Sequence, residues 1–124
     1  MAEEQKPHLN VTRNAGVCIV EFEDRKILEE TCISEIGDLL LDVVNSDPHV
    51  RMVLSFRNVE HLSSAALGML ITLRSQVRDK GGHLKLSNIR PQIYEVFKIT
   101  KLHKLFDIYD TAAQAIQAFA EQQG

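Results

Sequence analysis

Two almost unbroken apolar runs, "VCIVEF" (17–22) and "VRMVLSF" (50–56), and the alternating "HLKLSNI" (83–89) are interleaved with segments whose apolar residues recur every three or four positions. The first kind of pattern predicts strands, and the near-continuous apolar ones are strands covered on both faces. The second kind predicts amphipathic helices. A strand followed by a helix of this length and then another strand can return only as a crossover, which makes the later strands parallel neighbours. The sequence therefore predicts an α/β fold, a small mixed sheet of four to five strands with helices packed against it.

The boundaries follow from local chemistry. "HLNVTRNAGVCIVEF" reads as two short strands joined at Asn14-Ala15-Gly16, where Gly16 supplies the positive φ of a tight hairpin. Thr31 is placed to cap a helix whose Ile33, Ile36, Leu40, Val43 and Val44 share one side, ending before Asp47-Pro48. A second helix carries Ala66, Leu70, Leu73 and Val77 and ends at Gly81, a left-handed C-cap. Pro91 opens a third, with Ile93, Val96 and Phe97 inward. A short strand near Phe106 to Tyr109 precedes a last helix, where Thr111 and Gln114 have capping-box spacing and Ala115, Ile116 and Phe119 share a face. One core is expected from Val17, Ile19, Val53, Leu54, Leu67, Leu70, Ile71, Leu84, Leu86, Phe97 and Phe119.

A chain of 124 residues accommodates one such domain, expected over residues 8–124 after a flexible leader at 1–7. The net charge of -3, with basic residues dispersed among acids, argues against a nucleic-acid partner. No apolar stretch is long enough for a membrane span, and the polar start "MAEEQKPHL" has no export signal, so a cytoplasmic protein without a membrane partner is expected. In that setting Cys18 and Cys32 are expected as unpaired, inert thiols.

Signals for catalysis are weak. His8, His49, His61, His83 and His103 are far apart and have no ligand spacing, so no metal site is expected. The acids of "EFEDRKILEE" read as a solvated rim. Gly81-Gly82 lacks the Lys-Ser/Thr of a phosphate-binding loop, and neither Ser63 nor Ser64 has the glycines of a hydrolase elbow. No catalytic residue and no cofactor is expected. What remains is "HLSSAALGML" (61–70), where Ser63 and Ser64 open an apolar helix. One serine suits an N-cap. A second hydroxyl at an exposed helix N-terminus suits a phosphoacceptor, because backbone N–H groups and the helix dipole stabilise a phosphate there.

From about Val17 to Phe119 the chain resembles the STAS domain family of bacterial anti-sigma-factor antagonists. The residues carrying the likeness are the strand before "SSAALG", the helix after it, Gly81-Gly82, the strand and proline-led helix that follow, and "LHKLF" (102–106). Where the family reads Asp-Ser-Ser/Thr-Gly-Leu-Gly, aligning Leu67-Gly68 puts Ser64 on the phosphorylated serine. The resemblance implies a non-enzymatic, phosphorylation-controlled partner switch. Ser64 would be the phosphoacceptor and Ser63 a secondary one, while Ser63, Ser64, Ala65, Leu67 and Gly68 would meet the partner. The implied partners are an anti-sigma factor with kinase activity and a phosphatase. Ser63 stands in place of the family's aspartate, Ala65 of Ser/Thr and Ala66 of glycine, and "EFEDRKIL" replaces an acidic "GELD"-like stretch. These departures keep open an alternative, an unphosphorylated STAS scaffold or ligand-sensing module that binds other STAS proteins or regulators.

Overall fold

The computed structural model describes residues 3–6 and 8–123. The hairpin forms as the sequence predicts. β2 (Leu9–Asn14) and β3 (Val17–Phe22) are antiparallel, with Asn14 opposite Val17. Ala15 (φ 55°) and Gly16 (φ 79°) between them both occupy the left-handed region, as a type I′ turn requires. Residues 3–6, which the sequence places in a loose leader, form an edge strand instead, β1 (Glu3–Lys6), antiparallel to β2.

After β3 comes a two-residue strand, β4 (Lys26–Ile27), then α1 (Glu30–Ser46), β5 (Arg51–Ser55), a second two-residue strand β6 (His61–Leu62), and α2 (Ser64–Asp79). β7 (His83–Ser87), α3 (Pro91–Ile99), a 3-10 turn (Leu102–Lys104), β8 (Asp107–Tyr109) and α4 (Ala112–Gln123) complete the chain. The main sheet runs β1-β2-β3-β5-β7-β8, antiparallel through the hairpin and parallel from β3 onward. Five of these strands are the ones the sequence predicts.

Period-two alternation sends neighbouring side chains to opposite faces, so the expected single core is divided into two. Cys18, Val20, Phe22, Met52, Leu54 and Leu86 face α1, α2 and α3. Val17 and Val53 face the other way, against Ala115 and Phe119 of α4. Ile71 belongs to neither. It is 41% exposed, because the inward stripe of α2 is Ala66, Leu67, Leu70, Leu73 and Val77. A residue next to Leu70 is rotated by about 100° from it.

Helix ends obey their signals with one exception. Pro91 is at the first position of α3. The backbone N–H groups of Gly81 and Gly82 donate to the carbonyls of Arg78 and Val77, a Schellman closure made possible by φ 76° at Gly81. The Gln114 N–H donates to Thr111 Oγ1, and the Gln114 side chain accepts from the Asp110 N–H. Thr31, however, lies inside the first turn of α1. The cap is Glu29, whose carbonyl already accepts from Ile33 N–H, and no side chain caps that end.

Candidate functional site

The start of α2 is held from three sides. Ser63 is in an extended conformation (φ -88°, ψ 168°), and its Oγ accepts from the Ala66 N–H at 3.1 Å. Its carbonyl accepts from Leu67 N–H, and its own N–H donates to the Ile27 carbonyl. That last bond extends a parallel ribbon in which β4 pairs with β6, Lys26 opposite His61 and Ile27 opposite Leu62. The Glu60 and His61 N–H groups both donate to the Arg25 carbonyl. The "EFEDRKIL" stretch is thus the rail against which the entry to α2 is fixed.

Across this rail the Arg25 guanidinium donates twice to the Glu60 carboxylate, at 3.3 and 3.2 Å. The hydrogen bond to Arg25 holds the Glu60 carboxyl below its ordinary value. Neither the two-residue strands nor this pair carries a periodic signal in the sequence.

Ser64 is the first helical residue of α2, and it is exposed. The two adjacent serines therefore divide their work: the Ser63 hydroxyl is occupied as the cap and the Ser64 side chain faces solvent. Of the other residues the resemblance implies for partner contact, Ala65 and Gly68 are exposed beside Ser64, whereas Leu67 is buried and anchors the helix in the core. The outward face continues through Ile71, Thr72 and Ser75, and from Ser64 to Ser75 these six exposed positions bear no charge. Beside it, α1 approaches α2 closely: a Cβ on Gly37 would lie 3.3 Å from Met69 Cγ. Ile33, Gly37, Leu41, Met69 and Leu73 line a shallow apolar groove between the two helices.

Elsewhere the chain brings together residues that its sequence keeps apart. His8, just before β2, has Nδ1 at 2.5 Å from Asp24 Oδ2 and Nε2 at 3.2 Å from Glu35 Oε2. The Cys32 thiol donates to the same Asp24 oxygen at 3.2 Å. Burial alone would lower the His8 pKa, but hydrogen bonds and charge from Asp24 and Glu35 outweigh it and the net shift is upward. Burial, followed by the bond to Asp24, pushes the Cys32 thiol up to about 11. Neither cysteine is in a disulfide, and Cys18 is buried in the larger core. No spacing rule reveals this cluster, because its members come from two strand ends and a helix.

Lys85 is the second surprise. The alternation of "HLKLSNI" gives it a face but not its surroundings. Lying opposite Val53 it points under α4, 1% exposed, with Nζ 3.3 Å from Asp107 Oδ2 and 4.8 Å from the Phe119 ring centre.

A mixed sheet with three helices on one face and a fourth on the other, with an exposed serine at the head of the second helix, defines a small α/β domain. The sequence profile of the STAS domain matches residues 8–115, and the chain belongs to that family. Among curated proteins no sequence match is found. Among solved structures, an anti-sigma-factor antagonist (STAS) domain protein from Planctomyces limnophilus superposes with a TM-score of 0.79 at 20% identity, covering 89% of this chain and 95% of that one. The anti-sigma factor antagonist SpoIIAA in its unphosphorylated form gives 0.75 at 12%, covering 91% and 96%. A sulfate transporter family protein from Wolinella succinogenes gives 0.70 at 17%, covering 90% and 89%. No helix among the described residues is long and apolar enough to cross a membrane.

Proposed function

We propose that this protein is an anti-sigma-factor antagonist-like interaction module, with Ser64 as the phosphoacceptor of a partner switch. The observation that carries the reading is the division of labour at the start of α2. The Ser63 hydroxyl is bound to the Ala66 N–H, while Ser64 is exposed at the head of an uncharged face. A phosphate on Ser64 would lie at the positive end of the α2 dipole, beside first-turn N–H groups that have no acceptor within the helix. It would add roughly -2 charges to a neutral docking face without requiring the fold to change. The partners are an anti-sigma factor that is also a serine kinase and a phosphatase that reverses it, meeting in the cytoplasm. The chain acts by binding and not by catalysis. Ser63 is at most a secondary acceptor, since its hydroxyl is already engaged with the Ala66 N–H.

The test is incubation with the anti-sigma-factor kinase of the same organism and ATP, followed by intact-mass and peptide mapping. One phosphate on Ser64 is expected, absent in Ser64→Ala. Ser64→Ala keeps the unmodified affinity for the partner and Ser64→Asp weakens it. No phosphate on the wild type, with both variants binding equally well, overturns the reading. That result would favour the second one, an unphosphorylated STAS scaffold or ligand-sensing module binding other STAS proteins. Its support is Ser63 itself, which replaces the family's aspartate and leaves no fixed charge beside the acceptor.

A further inference from the structure

We propose that His8, Asp24 and Cys32 form a zinc site, with Glu35 orienting the histidine. The cluster brackets the β3–α1 connection and includes neither serine, and the inference does not depend on Ser64 being modified. Three ligand atoms, one each from an imidazole, a carboxylate and a thiol, lie within 4.8 Å of one another on half-buried residues. Tetrahedral zinc with nitrogen, oxygen and sulfur ligands at about 2.0–2.3 Å sets its ligand atoms roughly 3.3–3.8 Å apart. Two of the three separations, 2.5 and 3.2 Å, are hydrogen-bond contacts shorter than that spacing, so zinc takes the place of these bonds and the ligand atoms move apart to admit it.

The donor chemistry selects the metal. A thiolate with an imidazole disfavours magnesium and calcium, which take oxygen ligands, and one carboxylate among them suits zinc. Three protein ligands leave the fourth position to water. Glu35 is not a fourth ligand, because it faces Nε2 on the opposite edge of the ring from Nδ1. It is instead the carboxylate that commonly accepts the remaining N–H of a metal-bound histidine, fixing tautomer and ring orientation.

Metal binding also displaces protons. In the metal-free protein both ring nitrogens of His8 face carboxylate oxygens, and Cys32 is a thiol donating to Asp24. Zinc binds at Nδ1 and Sγ in place of protons, which leave to solvent. The Asp24 carboxylate exchanges two hydrogen bonds for one coordinate bond.

Cobalt(II) is the probe, since with zinc-type ligands it shows visible bands and a near-ultraviolet band for thiolate ligation. The full chain is expected to take up one cobalt per molecule with the thiolate band, to release it to zinc, and to melt at higher temperature with zinc present. Cys32→Ser loses the thiolate band. Asp24→Asn and His8→Asn lose stoichiometric uptake; asparagine is chosen because it tolerates the φ of 68° at position 8. Glu35→Gln binds about 10-fold more weakly or worse, the usual effect of losing such an orienting partner. Circular dichroism of each variant confirms the fold, and Ser64→Ala takes up cobalt as the wild type does. Absence of the thiolate band under excess cobalt, or zinc affinity unchanged in folded Cys32→Ser and His8→Asn, overturns the proposal.

Discussion

Ser63 and Ser64 differ by one position along the chain and by what their hydroxyls are free to do. Removing the Ser63 hydroxyl orphans the Ala66 N–H, so Ser63→Ala is expected to cost about 1 kcal/mol. Ser64→Ala removes nothing buried and should stay within about 0.5 kcal/mol of wild type. Urea denaturation of both variants checks the pair. The same contrast holds between neighbours further along α2: Leu70→Ala, at 1% exposure, should cost ~2–5 kcal/mol, whereas Ile71→Ala costs little. Periodicity made Leu70 legible in the sequence. It did not exclude Ile71, because an apolar residue flanking the stripe looks the same on paper whether or not an opposing surface exists. Lys85 was illegible for the converse reason: a lysine in an alternating strand reads as solvated, and only the placement of α4 buries it. It is buried with Nζ over the Phe119 ring, so Lys85→Met is expected to retain stability to within about 1.5 kcal/mol or to increase it, while Lys85→Ala leaves a cavity and costs ~2–4 kcal/mol.

At the scale of elements, the long helices and the strands of the main sheet were legible because each repeats its pattern over several turns or pleats. The β4–β6 ribbon was not. Two residues per strand carry no period, and the pairing joins segments separated by the whole of α1 and β5. The His8 cluster was hidden in the same way, since the contacts of His8 span 16 and 27 positions. The ribbon nonetheless determines where α2 begins, and Arg25–Glu60 fastens its outer edge. Its contribution has a definite pH dependence. The Glu60 carboxyl is lowered from its ordinary 4.5 by Arg25, so the pair contributes fully above pH 4.5 and is lost as pH falls through the lower, folded-state value. Thermal melts of wild type and Glu60→Gln should differ by a constant amount above pH 4.5 and converge in more acidic solution. The difference should also shrink in high salt, as expected for an exposed pair.

On the scale of the whole molecule, the sheet separates two tasks. The α4 face holds a small cluster of Val17, Val53, Ala115 and Phe119, on the opposite side from the helix that presents Ser64. Phe119→Ala should therefore lower stability by ~3–5 kcal/mol while leaving partner affinity unchanged wherever the domain is still folded. The reverse separation can be made at Gly68. This glycine is in the interior of α2, where it costs stability relative to alanine, and a Cβ added to it would meet nothing within 4 Å. Helix propensity alone would fill the position. Leaving it bare keeps the face flat between Ala65 and Ile71, which suits close approach by a partner. Gly68→Ala is expected to stabilise the domain by about 0.5–1 kcal/mol. Gly68→Arg should stabilise it by a similar amount, yet place a long cation in the middle of an uncharged surface and weaken partner binding. The two measurements are a denaturation curve and an affinity titration on the same variant. Increased stability with unchanged affinity would move the docking surface off α2, whereas increased stability with lost affinity would show that the bare position serves recognition.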